Sequence, residues 1–486
     1  MSSKGAVLCW FRRDLRLRDN PALTRACALA SAENLRVIPL FILDDDDAGD
    51  FATGGASRWW LHHSLVSLRD NLNGQLLLRS GAAKQALSAL TEELDVRAIF
   101  WNRCYEPWQI ARDTELKTHF KSSGIDVQSF QASLLWEPWD IKNKQGSAYK
   151  VFTPYYRKGC LLSKQPRLPK AAPDLSDCAL PEGLQQNTID ELGLLPSIPW
   201  YEQMQNEWQP GEQGASDRLT QYIESAAFAY RDQRNIPSVV GTSRLSPSLH
   251  YGELSPNQVW YAVKHAFEGR EDDKHLDTYL SELGWREFSY YLLYHFPHIP
   301  SDSFNAKFDV FTWENAPEKL RAWQTGNTGI PIIDAGMREL WQTGYMHNRI
   351  RMVVGSFLVK NLRCDWRLGE AWFRDCLLDA DLAANVASWQ WVAGSGADAA
   401  PYFRIFNPVL QGEKFDSDGE YVKKFCPELA EVPKKFIHKP WEAPTDILKS
   451  AGVWLGTDYP HPIVDLKESR EAALDAYEVV KAASNA

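Results

Sequence analysis

A parallel α/β domain followed by an all-α domain is the fold class this sequence predicts, and three observations predict it. Strand-like and helix-like runs alternate over residues 1–135; a stretch rich in Pro, Gly, Gln and Asp breaks the pattern; helical periodicity then dominates to the end. The domains read as 1–135, a linker over 136–215, and 216–486, in a chain of 486 residues that is long enough for two separate cores.

Taken in order, the predicted strands are Ala6–Phe11, Arg36–Leu43, Gln75–Arg79, Arg97–Trp101 and Asp126–Phe130, each short and apolar. Helical patterns lie between them, including Ser57–Leu72, with Trp59, Leu61, Leu65 and Leu68 near one face, and Ala82–Leu94. Asn20-Pro21 supplies a helix start, an N-cap followed by Pro at the first helical position. The acidic run Asp44–Asp47 is expected to stay in water. No GxGxxG follows the first strand, so this Rossmann-like sheet lacks the dinucleotide fingerprint and is not expected to hold a dinucleotide's diphosphate. The PRLPKAAPD and EWQPGEQGASD stretches mark the interdomain connection. Beyond it the periodicity predicts helices over Ser216–Arg231, Ser255–Phe267, Leu276–Tyr294, Pro317–Thr325, Ile332–Thr343, His347–Lys360 and Arg367–Leu378.

Composition narrows the class. The sequence carries no uninterrupted apolar run of the roughly 18 to 20 residues a membrane span needs, and MSSKGAVLCWFRRD reads as a strand with arginines rather than a secretory leader, so a cytoplasmic protein without membrane contact is expected. Eight cysteines without a CxxC argue against a zinc site and a disulfide framework and are expected to be reduced. A net charge of −10 disfavours an indiscriminate nucleic-acid binder. Between Arg338 and Arg367, however, six cations face two acids, a local balance of +4 that from charge alone reads as a solvated helix face.

The most informative stretch runs from Tyr345 to Pro408, where Arg349, Arg351, Arg363 and Arg367 alternate with tryptophans in a chain that holds 20 of them, a combination suited to planar groups and phosphates. His347 opens a helix on which Asn348 and Met352 share one face while Arg349 points elsewhere, and Arg351 is placed to pair with a carboxylate of DADLAAN. The loop Thr242-Ser243-Arg244-Leu245-Ser246 runs into a helix whose first turn holds Pro247. It is a phosphate candidate, although as a bare pattern it reads first as N-capping. In SELGWREF, Glu282 and Arg286 stand four apart, an i,i+4 ion pair with Trp285 on the adjoining face. His295 and His298 read as structural histidines, and no Ser/His/Asp or Cys/His motif supports hydrolysis.

The segments GTSRLS, WREF, YMHNRIRM, CDWRLGEAW, DADLAANVASWQW and APYFRIFNP closely resemble the flavin-binding signature of the photolyase and cryptochrome family, and the resemblance extends over nearly the whole chain. It implies an antenna-chromophore α/β domain and an all-α FAD-binding domain. The loop Thr242–Ser246 would hold the FAD diphosphate with Tyr230 packing nearby. Arg286 would serve the flavin side, Arg351 would pair with Asp379 beside the isoalloxazine, Asp381 would lie near the ribityl or adenine part, and Asn385 would face N5, where an amide can accept from or donate to the ring nitrogen. Glu282 would address a carbonyl of the damaged base pair. Trp285 and Trp391 would contact the flipped lesion, with Asn348 and Met352 beside it, and Arg349 would bind a DNA phosphate. Trp389, Trp366 and Trp313 would form the electron-hopping chain from flavin to surface.

Within the family, (6-4) photolyases carry two histidines where this sequence has Asn348 and Met352, and signalling cryptochromes usually carry a long C-terminal extension. The resemblance therefore implies a class I cyclobutane pyrimidine dimer photolyase, with a flavin blue-light sensor as the rival reading, acting on UV-damaged DNA as a monomer with no obligate protein partner and no metal. Trp108 and Gln109 stand where folate-binding relatives tend to carry Asn and Glu, and Val386 follows Asn385 where relatives often hold a small or amide residue. The expected antenna is methenyltetrahydrofolate first, a deazaflavin second, and none third.

Overall fold

Five apolar runs pair in parallel in the structure, a computed structural model that describes residues 5–399 and 404–483. They are β1 (Ala6–Phe11), β2 (Arg36–Leu43), β3 (Leu77–Ser80), β4 (Val96–Asn102) and β5 (Asp126–Phe130), in the order β3-β2-β1-β4-β5. All six residues of β1 are buried, as expected of a central strand covered on both faces. Its register places Val7 opposite Val37 on one side and Ala98 on the other. The two faces carry separate apolar clusters, one around Phe11, Phe41 and Phe100, the other around Trp10, Leu40 and Trp101.

Asn20 caps the Pro21–Glu33 helix, its side chain accepting from Leu23 N at 3.1 Å. The acidic run departs from expectation. Asp45–Ala48 forms a short helix, and its carboxylates are engaged: Asp44 with Arg112, Asp45 with Arg58, and Asp47 with the Ala83 amide at 3.1 Å. Three of the four acids are engaged, two by arginines of other helices and one by a backbone amide.

The connection is ordered by packing. Residues Asp177 and Ala179 hydrogen-bond Val37 along the edge of β2 that β3 leaves unpaired, at 2.8 and 3.1 Å. Trp200 stacks on Trp341 of the helical part, ring centres 5.3 Å apart. Helices then follow at Glu212–Ser225, Ser246–His250, Pro256–Ala266, Lys274–His295, Pro317–Gln324, Pro331–Thr343, Asn348–Ser356, Trp366–Cys376 and Leu382–Ala393. Helicity predicted to Lys360 changes to a π-turn over Phe357–Asn361, and the run predicted to Arg231 breaks at Ala227–Ala229.

The α/β and helical parts meet along the Gly55–Asn71 helix. Ser57 Oγ donates to Leu377 O at 2.8 Å and Gly55 N to Asp375 Oδ1 at 2.8 Å. All eight cysteines are unbridged and buried. Among the described residues no helix is long and apolar enough to cross a membrane, and no cluster of His, Cys, Asp and Glu could hold a metal ion. Residues 400–403, which begin the APYFRIFNP run, lie outside the described residues.

Candidate functional site

The DADLAAN segment turns into the Leu382–Ala393 helix with its two carboxylates buried and differently employed. Asp381 is the N-cap: Oδ1 accepts from Ala384 N at 2.9 Å, and Oδ2 accepts from the Tyr290 hydroxyl with His250 Nδ1 at 3.7 Å. Burial alone would raise this carboxyl, but hydrogen bonding from His250 and Tyr290 and the charge of Arg286 hold it well below the usual carboxylate range. Asp379 Oδ2 accepts from Arg351 Nη2 at 2.9 Å, while Arg351 Nε donates to Met346 O at 2.7 Å. The other Asp379 oxygen is buried without a partner. One turn into the helix, Asn385 Nδ2 donates to Glu370 O at 3.1 Å and Glu370 Oε1 at 2.9 Å. With both N–H bonds so used, its Oδ1 is left to act as an acceptor.

The Thr242–Ser246 loop does not cap its helix. The cap position of Ser246–His250 is Leu245, whose apolar side chain accepts nothing, so the N-capping reading of this loop is wrong. Arg244 adopts a left-handed φ of 49°, unusual for a side-chain-bearing residue. Its guanidinium lies over Trp208 at 4.3 Å and Tyr345 at 5.1 Å and bonds Glu207 at 3.2 Å, leaving Nε buried without a partner. Ser243 is hydrogen-bonded to the Tyr279 hydroxyl, and Tyr230 packs edge-on to Tyr279 at 5.2 Å.

Glu282 and Arg286 do not form the expected i,i+4 pair. Glu282 Oε1 accepts instead from Arg234 Nη1 at 2.5 Å, and burial raises its pKa against that charge. Arg286 turns toward the sheet side, donating to Ser133 O at 2.8 Å and lying over Tyr290 at 5.0 Å. Trp285 stacks on Phe152, centres 3.8 Å apart at 11°. Trp391 is half-buried, Asn348 exposed, and Met352 half-buried one turn from Asn348. Arg349 is held by Asn235 Oδ1 at 2.7 Å and covers Phe415 at 4.4 Å. His347 caps this helix through Nδ1, and burial depresses its pKa to about 4, so it is neutral at pH 7.

The basic run from Arg338 to Arg367 is not a free positive face. Arg338 pairs with Glu428, Arg363 with Glu314, Arg367 with Asp365 and Arg351 with Asp379, while Lys360 is buried. Trp389 is buried between Phe373 and Trp323, ring centres 5.0 and 6.2 Å away, and lies so close to Gly369 that a Cβ there would come within 2.2 Å of its ring. Trp366 opens that same helix, fully buried, and Trp313 is half-buried against Phe311 at 4.5 Å. Trp108, at the proposed antenna position, donates to Glu106 at 2.7 Å beneath Arg112, and Gln109 is buried.

Sequence reasoning missed Glu370, Arg374, His250, Tyr290, Arg234, Phe152 and Trp323. Only Glu370 and Arg374, four apart in GEAWFRD, carried a local signal. The rest approach from distant elements.

Two family models match: the DNA photolyase domain over residues 7–174 and the FAD binding domain of DNA photolyase over residues 279–479. The chain is 47% identical to a deoxyribodipyrimidine photo-lyase of Agrobacterium fabrum, covering 99% of each chain. It is 38% identical to cryptochrome-2 of Arabidopsis thaliana over 96% of this chain and 77% of that protein. A crystal structure described as a bacterial class III photolyase from Agrobacterium tumefaciens superposes with a TM-score of 0.93 at 46% identity, covering 99% of this chain and 98% of that one.

Proposed function

The chain belongs to the DNA photolyase and cryptochrome family, and from that premise we propose that it repairs cyclobutane pyrimidine dimers in DNA by light-driven electron transfer. The observation that carries the reading is the polar cluster of Asp379, Arg351 and Arg244 around Tyr345. Its residues fit FAD, because Asp379 Oδ1 and Arg244 Nε are buried polar atoms with no partner among the described residues, in the segments that the family resemblance gives to the isoalloxazine and the diphosphate. FAD, when bound and reduced, supplies the excited electron that splits the dimer and takes it back afterwards.

The protein's residues prepare that exchange. Asn385, whose N–H bonds go to Glu370, would offer its carbonyl oxygen to a protonated N5 and so favour the reduced cofactor. Arg351 fixes Asp379 in one orientation, and the positive guanidinium offsets charge gained by the ring system. Glu282, held by Arg234, would hydrogen-bond a dimer carbonyl in its protonated form, which burial favours against the charge of Arg234. Trp285, locked by Phe152, and Trp391 give the flipped lesion two aromatic faces, and a damaged base costs less to flip than an intact pair. Asn348 and Met352 lack the acid–base chemistry that a (6-4) photoproduct requires.

The 46% identical class III photolyase favours class III over the class I subclass read from the sequence. The kinship with a plant cryptochrome supports a light sensor as the second reading. For the antenna, methenyltetrahydrofolate stands first and a deazaflavin second; Trp139, 37% exposed at the domain boundary with Tyr294 at 5.6 Å and Arg103 over it at 5.6 Å, offers a face for the planar ring of either. The test is illumination of the chemically reduced, flavin-loaded protein with oligonucleotides carrying either lesion. Repair of the cyclobutane dimer alone is expected. Repair of the (6-4) lesion overturns the specificity, and repair of neither moves the protein to the sensor class.

A further inference from the structure

The amide read as facing the flavin is joined by two side chains to the seam between the domains. Asn385 Nδ2 gives both of its contacts to Glu370. The second Glu370 oxygen faces Arg374 Nη2 at 3.5 Å, one helical turn on. Arg374 crosses the seam, donating through Nη1 to the Asp50 carbonyl and covering Phe51 at 5.5 Å. The two backbone segments touch directly here: a Cβ on Gly54 would come within 2.1 Å of Arg374 O, so no side chain is tolerated at that position. Beside the seam lies a small cavity of about 20 Å³ with Arg374, Phe51 and Gly54 in its wall.

We propose that Asn385, Glu370 and Arg374 form a relay through which protonation at flavin N5 sets how tightly residues 50–54 of the α/β domain are held. The inference rests on the placement of Asn385 beside N5. An amide nitrogen has two N–H bonds, and both now serve Glu370, leaving the carbonyl oxygen for a protonated N5. Oxidation by dioxygen removes two electrons and the N5 proton from the reduced flavin; with one further proton the products are oxidised flavin and hydrogen peroxide. N5 is then an acceptor, which Asn385 satisfies only by withdrawing an N–H from Glu370. The released carboxylate oxygen draws Arg374 toward it and away from Asp50. The device makes the domain seam tighter in the reduced protein and looser in the oxidised one, a mechanical output available to a family that includes both repair enzymes and sensors.

Amide hydrogen exchange over residues 49–57, followed by mass spectrometry on flavin-loaded protein, reads the relay directly. Exchange about fivefold faster in the air-oxidised than in the dithionite-reduced protein is expected, the size of one partly exposed hydrogen bond. Arg374→Gln makes exchange fast in both states, and Glu370→Gln, which keeps an acceptor for Asn385 but loses the charge facing Arg374, makes the two states alike. Equal rates in the two states of the unmodified protein overturn the relay. Asn385→Ala separates the two levels of inference. If it leaves the flavin's absorption and reoxidation rate unchanged, the N5 placement fails and the relay with it; if it alters them while the unmodified seam exchanges equally in both states, the placement stands and the relay alone is wrong.

Discussion

At the carboxyl ends of β1 and β4, where the strand order reverses, Arg12 donates two hydrogen bonds to Asp113 at 2.8 and 2.9 Å and reaches the Asn102 carbonyl; Asn102 bonds Asp14 at 2.6 Å and Asn20 at 2.7 Å. The carboxylates, amides and guanidinium groups there bond mainly to one another. The cluster around Asp379 is assembled from the same residue types and is left open, with one oxygen of Asp379 and the Nε of Arg244 unpartnered. Open α/β sheets usually bind ligands where the order reverses. In this protein most polar groups at that point satisfy each other, with Arg12 Nε buried and unpartnered, whereas the helical cluster leaves a buried carboxylate oxygen of Asp379 as well as Arg244 Nε without a partner among the described residues.

Breaking one pair in each cluster tests the contrast most severely. Asp113→Ala leaves Arg12 and Arg112 buried without their shared carboxylate and is expected to cost roughly 3 to 5 kcal/mol. Asp379→Ala falls at the lower end of that range, because the Arg351 side chain is 23% exposed and solvent offsets part of the loss. The flavin should divide them: Asp379→Ala purifies with little FAD, and Asp113→Ala with its full complement. Denaturant melts together with the ratio of flavin to protein absorbance measure both, and equal flavin loss in the two variants would erase the distinction.

Acid sharpens the comparison, because His250 and His347 both lie in the helical part. Burial holds each at a pKa of about 4, below the ordinary value of 6.5, with nearby arginines adding to the effect. The folded pKa is depressed, so their contribution is complete above pH 6.5 and is lost as pH falls through 4. The loss amounts to about 3 kcal/mol for each histidine. Melting from pH 7.5 to 4, with tryptophan fluorescence and flavin release as readouts, should therefore show flavin lost along that slope. His347→Gln, which keeps a side-chain acceptor for the Arg349 amide, should flatten it.

The contrast also explains what could be read in advance. The strand runs, the Asn20 cap and the pairing of Arg351 with a DADLAAN carboxylate depend on local pattern or on a short motif, and each was legible. Glu282 was misassigned because helix spacing favours Arg286, while the partner it takes, Arg234, is 48 residues away. The same limit hid the neutralisation of the basic run, whose counter-ions Glu314, Asp379 and Glu428 come from other segments. His250 and Tyr290 converge on Asp381 only through tertiary packing, which no periodicity encodes.

The smallest effect bears on the loop before Ser246–His250. Were Ser246 a helix cap, its replacement by Ala would cost about 0.5 to 2 kcal/mol of stability whatever the ligand. The cap position belongs to Leu245, so Ser246→Ala should leave the flavin-free protein within about 0.5 kcal/mol of the parent. If the loop holds the diphosphate, removing a hydroxyl donor instead weakens FAD binding by about 1 kcal/mol, near fivefold in Kd. Thr242→Ala should behave alike. Ser243→Ala differs, since it also breaks the bond to Tyr279 and so lowers stability with or without flavin. Melting curves of apoprotein and flavin titrations of the three variants separate the cases: a stability loss at Ser246 without a change in flavin affinity would return the loop to a structural role and leave the diphosphate without its proposed seat.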